Sequence, residues 1–242
     1  MHDSVTQGRI DLAAAFRWAA RLGFHEAVAN HFSLAVVEDG SRFLIQPRGR
    51  HFSKVRASEL LLVDADGAVL EGEGSIDPTA FHIHSAIHRG VPQARCILHT
   101  HMAYATALTC LEGGRLEPVS QNALRFYERI AYDETFGGMA LDTDEGARLC
   151  AALGDKTVLF MGNHGVTVTS TSVAQAFDEL YFLEKACETQ VLAMSTGRRL
   201  NQVPDTVARQ TCRQWQEYPD LAQLHFTELK RILDEEEPDY AK

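Results

Sequence analysis

The sequence predicts an α/β fold built on a largely antiparallel sheet. Two hairpin signals lie in tandem near the N-terminus, further apolar runs of strand length follow, and amphipathic segments with defined start and stop residues lie between them. At 242 residues the chain is long enough to bury a sizeable core, and no linker divides it, so one domain over 1–242 is expected. The apolar fraction of 45% and charged fraction of 23% are those of an ordinary globular chain, and no apolar window is long enough to cross a bilayer. The N-terminus lacks a secretory pattern, so a cytoplasmic location without a membrane partner is expected. With 23 basic residues against 33 acidic ones, a net charge of −10 and no basic stripe, nucleic acid is excluded as a partner. Five widely spaced cysteines with no Cys-x-x-Cys pair read as reduced thiols.

The first helix is expected from about Gln7 to Leu22, because Leu12, Ala15, Phe16, Ala19 and Leu22 form one apolar face and Gly23 stops it. Residues 29–37 and 42–46 then read as a hairpin turning at Asp39-Gly40, and a second hairpin turns at Asp64-Ala65-Asp66-Gly67. Four successive strands of this kind make the sheet largely antiparallel. Asp77 as N-cap and Pro78 at the first position start a helix that ends at Gly90. A short helix is expected from Met102 to Leu111, then a looser region to Gly138 that holds Asn122, Arg125, Tyr127 and Tyr132. Asp142 to Leu153 reads as an amphipathic helix with an acidic first turn. Ser172 with Gln175 opens a long helix to about Thr196, whose apolar face runs from Ala176 to Leu192. From about Asp205 a last helix and a frayed acidic tail are expected.

The segment Cys96-Ile97-Leu98-His99-Thr100-His101 organises the rest. On a strand, alternate side chains share a face, so His99 and His101 project together roughly 6–7 Å apart along the backbone. A second apolar run, Thr157 to Met161, empties into Gly162-Asn163-His164-Gly165 and offers a third imidazole. Three histidines with an open position form the pattern of a catalytic metal site. On spacing alone, ordinary hydrogen-bonded histidines remain the alternative. His84 and His88, four apart on a helix with no glutamate between them, suit packing or support of the site better than ligation. In the loop Pro47-Arg48-Gly49-Arg50-His51 the glycine lets backbone N–H groups approach an anion while Arg48 or Arg50 supplies charge. A solvated turn is the alternative there.

The series Asn30-His31-Phe32-Ser33, Leu44 to Gly49, Phe81 to His88, Leu98 to His101 and Asn163-His164-Gly165 resembles the class II aldolase/adducin family in order and spacing. The match covers about residues 8–200, leaving a C-terminal helix and acidic tail over about 205–242, and the nearer likeness is to bacterial adducin-like members with the fold of L-fuculose-phosphate aldolase. The resemblance implies a three-layer α/β/α sandwich around a mainly antiparallel central sheet, and a homotetramer with active sites between subunits. It also implies one divalent Zn2+ or Mn2+ per subunit, held by His99, His101 and His164. The family's glutamate, which touches the metal and shuttles a proton, falls on Ala80 in this register. The serine-rich phosphate segment is replaced by Asp77-Pro78-Thr79, which argues against a phosphorylated sugar.

The function expected from this pattern is a metal-dependent carbon–carbon lyase, of decarboxylase or aldolase type, acting on a small hydroxy or oxo carboxylate through a metal-stabilised enolate. Loss of the glutamate tilts the balance toward decarboxylation, or toward a relocated base among His84, Tyr127 and Tyr132. Asn30, Ser33, Arg48 and Gly49 are the expected substrate-binding residues. A non-catalytic adducin-like scaffold is the second reading, and a sugar-phosphate aldolase or epimerase the third.

Overall fold

The computed structural model describes residues 2–218 and 220–242. Helix α1, His2–Arg21, lays Leu12, Ala15, Phe16 and Ala19 into the core, as their spacing requires. The two hairpins follow as β1 (His31–Ala35) with β2 (Arg42–Ile45), and β3 (Leu61–Asp64) with β4 (Val69–Glu71). Helix α2, Pro78–Gly90, begins where Asp77 accepts the Thr79 N–H. It leads to β5 (Cys96–Thr100) and the short α3 (Ala103–Thr109).

The looser region before Gly138 holds a one-turn α4 (Gln121–Leu124) and the strand β6 (Ile130–Asp133). Helix α5, Thr143–Leu153, starts on the Asp142 cap and leads to β7 (Val158–Met161) and β8 (Gly165–Ser170). Strand β8 has no counterpart among the expected elements because its Thr167 and Thr169 look solvent-facing, yet both are buried, with hydrogen bonds to Met161 and to the Thr157 carbonyl. The long α6, Val173–Ser195, is capped by Ser172, and its apolar face ends before the exposed Leu192.

The eight strands form one sheet in the order β4-β3-β2-β1-β5-β8-β7-β6. Strand β6 pairs with β7 in parallel and the other neighbours pair antiparallel, so the expected mainly antiparallel sheet is a mixed one. The parallel pair arises because α5 carries the chain across from β6 to β7, a crossover that parallel strands need and a tight turn cannot supply. Phe32, Leu98, Val166 and Val168 point to the face covered by α1 and α6, whereas Ile97, Leu159 and Met161 meet Ile83 and Ile87 of α2 and Leu149 of α5 on the other.

The C-terminal region also departs from expectation. It forms two helices, α7 (Asp205–Gln216) and α8 (Leu221–Glu236), and its acidic end is anchored. The buried guanidinium of Arg17 reaches Glu237 at 2.8 Å and Asp239 at 3.1 Å, and Tyr240 sits in the core. Charge alone suggests a frayed tail, but these carboxylates have arginine partners some 220 residues away in sequence, which local reading does not reveal.

Candidate metal centre and cleft

Sheet pairing assembles the three histidines. Antiparallel pairing of β5 with β8 sets Thr100 opposite Val166, so the turn 162–164 between β7 and β8 lies beside the end of β5. Asn163 adopts a left-handed φ of 56° within that turn, a conformation asparagine tolerates. Gly165 follows, where a Cβ would stand 2.6 Å from the Thr100 carbonyl oxygen and 2.7 Å from the His101 ring. Only glycine lets the two segments approach this closely. One nitrogen each from His99, His101 and His164 lies within 4.8 Å of the others.

Their hydrogen bonds fix which nitrogen faces inward. His99 Nδ1 donates to the Val166 carbonyl at 3.0 Å, leaving Nε2 as a bare lone pair. His101 Nδ1 donates to Glu26 Oε2 at 2.8 Å, which directs its Nε2 toward the cluster and leaves that nitrogen bare in the neutral ring that ligates a metal. The two Nε2 atoms stand 3.2 Å apart. Two lone pairs at this range repel unless a cation lies between them, and tetrahedral nitrogens bonded to zinc at about 2.0–2.1 Å sit about 3.3 Å apart. The donor set therefore fits a divalent ion. Burial favours the neutral, ligating form: it holds His99 well below the ordinary imidazole range and His164 at about 4, with mutual repulsion among the histidines adding to the effect.

The cluster opens into a cleft of about 500 Å³. One side carries His31, Arg48, Asp77 and Thr79, and the opposite lip is apolar, with Phe136, Met139 and Leu141. Arg48 is 62% exposed and its Nε lies 3.3 Å from Asp77 Oδ2, leaving most of the guanidinium free for an anion. Arg50 is committed elsewhere, with two bonds to Glu59 and one to the Lys54 carbonyl.

The other expected residues are placed differently. Asn30 is buried: its Oδ1 accepts the Glu26 N–H at 2.7 Å and its carbonyl accepts Gln46 Nε2, so it shapes the turn carrying Glu26 and does not line the cleft. Ser33 is fully buried and bonded to His84 and His88, because its strand position points it under α2. His84 is equally buried, sealed between His31 and Ser33. Gly49 takes a left-handed φ of 78° that turns the loop, but it does not line the cleft. Tyr127 bonds Asp205 at 2.6 Å, and Tyr132 packs on Phe160 in a separate cavity. Burial pushes the Tyr132 hydroxyl up to about 12, which does not suit proton exchange near neutrality. Ala80 is 1% exposed among Phe43, Ile45 and Val63, so its side chain faces the core and the helix start presents Asp77 to Thr79 to the cleft instead.

Sequence reasoning overlooks Glu26 and His31. Neither has a local signature: Glu26 is 75 residues from His101, and His31 reaches the site because β1 pairs it directly with His99. Glu26→Ala is expected to lower metal affinity by about 10- to 100-fold, the usual cost of losing a hydrogen bond that orients a ligating imidazole. Competition with a chelator measures this, and unchanged affinity would show that Glu26 does not orient the ring.

Comparison with known proteins matches the chain to the class II aldolase and adducin N-terminal domain over residues 10–191. The chain belongs to that family. It is 38% identical over 202 residues to a Pseudomonas aeruginosa protein named as an aldolase class 2 protein, covering 83% of this chain and 77% of that one. It is 30% identical over 231 residues to the decarboxylase NovR of Streptomyces niveus, covering 92% and 84%. An aldolase II superfamily crystal structure from Pseudomonas syringae superimposes with a TM-score of 0.91 at 34% identity, covering 98% of this chain and 96% of that one. L-fuculose 1-phosphate aldolase from Glaciozyma antarctica gives 0.85 at 28%, covering 99% and 93%. Of these, the decarboxylase and the fuculose phosphate aldolase are named for lyase-type reactions.

Proposed function

We propose that the chain is a divalent-metal-dependent carbon–carbon lyase acting on a small hydroxy or oxo carboxylate, with His99, His101 and His164 as the metal ligands. The observation that carries this reading is the convergence of the three imidazoles, with His99 Nε2 and His101 Nε2 facing each other at 3.2 Å while the Nδ1 of each is hydrogen-bonded away from the cluster. A bound Zn2+ or Mn2+ supplies Lewis-acid stabilisation of the enolate charge left when the carbon–carbon bond breaks. The chain's own residues do the rest. Arg48 anchors the carboxylate by charge-assisted hydrogen bonds, and the exposed apolar lip of Phe136, Met139 and Leu141 is the surface that a closing neighbour would cover to exclude water from the reacting carbon. Asp77 is the carboxylate at the helix start that lines the cleft, and its Oδ1 is occupied by Thr79 while Oδ2 faces Arg48.

Among the described residues of one chain, the cleft lining holds no glutamate, tyrosine or lysine. With Asp77 engaged by Thr79 and Arg48, His31 is the lining side chain outside the metal cluster that could take a hydroxyl proton for retro-aldol cleavage, whereas decarboxylation, which we place first, expels CO2 and needs only a later proton donor. The kinship to a protein named a decarboxylase supports the same choice. A homotetramer with active sites between subunits is part of this reading, since a neighbouring copy would close the open side of the cleft. A screen of hydroxy and oxo acids against the zinc- and manganese-loaded protein, scored for CO2 and aldehyde release, tests the function. Release of neither from any acid would sink it. Arg48→Ala is expected to raise KM for the acid about 10- to 100-fold with a smaller change in kcat, as for loss of a charged hydrogen bond; an unchanged KM removes Arg48 from the site.

A further inference from the structure

A chain of hydrogen bonds runs beneath the sheet from the backbone to the cleft, and its direction is fixed at one end. His88 Nδ1 lies 2.8 Å from the Ala94 carbonyl oxygen, which can only accept, so Nδ1 carries the proton. Neutral His88 therefore offers a bare Nε2, which accepts the Ser33 hydroxyl at 2.7 Å. With its proton spent there, Ser33 Oγ must accept from His84 Nδ1–H. His84 Nε2 is then bare and accepts from His31 Nδ1–H at 2.8 Å. The last link leaves His31 Nε2 without a proton, and among the described residues nothing is hydrogen-bonded to it. His31 lines the cleft and stacks on His99, with ring centroids 4.7 Å apart and planes 27° from parallel.

All four side chains are buried, so the relay is shielded from exchange with water. The alternation of donors and acceptors requires neutral imidazoles, and burial favours that form for His84 and His88. A sheet core could fill these positions with apolar residues at no hydrogen-bonding cost. The relay's consequence at the site is one defined tautomer.

We propose that His31 is a substrate-contacting residue whose bare Nε2, set by the His84–Ser33–His88 relay, accepts a hydrogen bond from the hydroxyl of the bound acid. His84, Ser33 and His88 are then positioning residues, and the cleft selects acids that carry a donor. The selectivity half rests on the carboxylate reading above, whereas the tautomer does not.

Two measurements on the full, zinc-loaded chain test it. Long-range proton–nitrogen correlation spectra of protein labelled with 15N-histidine should show His31, His84 and His88 as Nδ1–H tautomers. Titration with glycolate and with methoxyacetate, which differ in the hydroxyl proton, should show glycolate bound at least about 10-fold more tightly, the scale of one buried hydrogen bond. Ser33→Ala should collapse that preference to about threefold or less and mix the His31 tautomers, with zinc content unchanged, and Ser33→Thr should restore both. An Nε2–H tautomer for His31 in the wild type overturns the proposal, and that outcome needs no variant to fold. Equal binding of the two acids by the wild type, or a preference that survives in folded Ser33→Ala, also overturns it. Failure of both acids to bind while the Nδ1–H pattern stands supports the relay and counts against the carboxylate reading alone.

Discussion

Replacing His164 by alanine is expected to empty the metal centre and abolish turnover while leaving the fold intact. The side chain sits on a three-residue turn whose shape depends on backbone groups: the His164 N–H donates to the Met161 carbonyl at 3.1 Å, and the Asn163 N–H donates to the Thr109 carbonyl at 3.0 Å. Neither bond involves the imidazole. The substitution removes one of three nitrogen donors, so affinity should fall by more than about 100-fold, the upper end of the cost of losing merely a supporting contact. Elemental analysis of the purified variant, with circular dichroism to verify folding, measures this. Full occupancy in a folded His164→Ala protein would refute its assignment as a ligand.

The second large effect is loss of stability in acid. His84 and His88 are buried under α2 and held below the ordinary imidazole range, His88 at about 4, chiefly by desolvation. The unfolded chain takes up these protons near pH 6.5, whereas folded His88 does so only near pH 4. Between those values the unfolded state binds more protons, so stability rises with pH and is lost as pH falls. His88 alone should account for roughly 3 kcal/mol by pH 4, and His84 adds to it. Urea unfolding in the presence of a chelator should give a free energy that is flat above about pH 7 and drops steeply from about 6.5 toward 4.5. His88→Gln should flatten part of that slope. A level profile for the wild type across this window would mean that the histidines are not sealed in the neutral form.

Local signals make much of the architecture legible. Asp77-Pro78, Asp142 and Ser172 each mark a helix start within a residue of the observed one, and Asp39-Gly40 and Asp64 to Gly67 mark the hairpins. Strands β6 and β8 carry no such signal: β6 has four residues, and the alternating threonines of β8 read as solvent-facing although Thr167 and Thr169 are buried. At the site, the His-x-His spacing brings out His99 and His101, and the glycine-flanked turn brings out His164. Spacing cannot distinguish a residue that lines the cleft from one that lies a pleat beneath it. Asn30 and His31 are adjacent, yet pairing of β1 with β5 puts His31 opposite His99 while Asn30 tightens a turn. Ser33 shares a face with His31 but lies two residues further under α2, which makes it a link in a buried relay. Tyr127 and Tyr132 have side chains suited to proton transfer, but their hydrogen bonds lie elsewhere.

The most direct test of the metal centre is the metal content of wild-type protein purified without chelator and without a metal-affinity tag, read by elemental mass spectrometry. The convergence of His99, His101 and His164 predicts close to one equivalent of zinc or manganese per chain, restored after stripping by adding either ion. Sites that are empty on purification and refuse both added ions would contradict the metal centre, and with it the lyase.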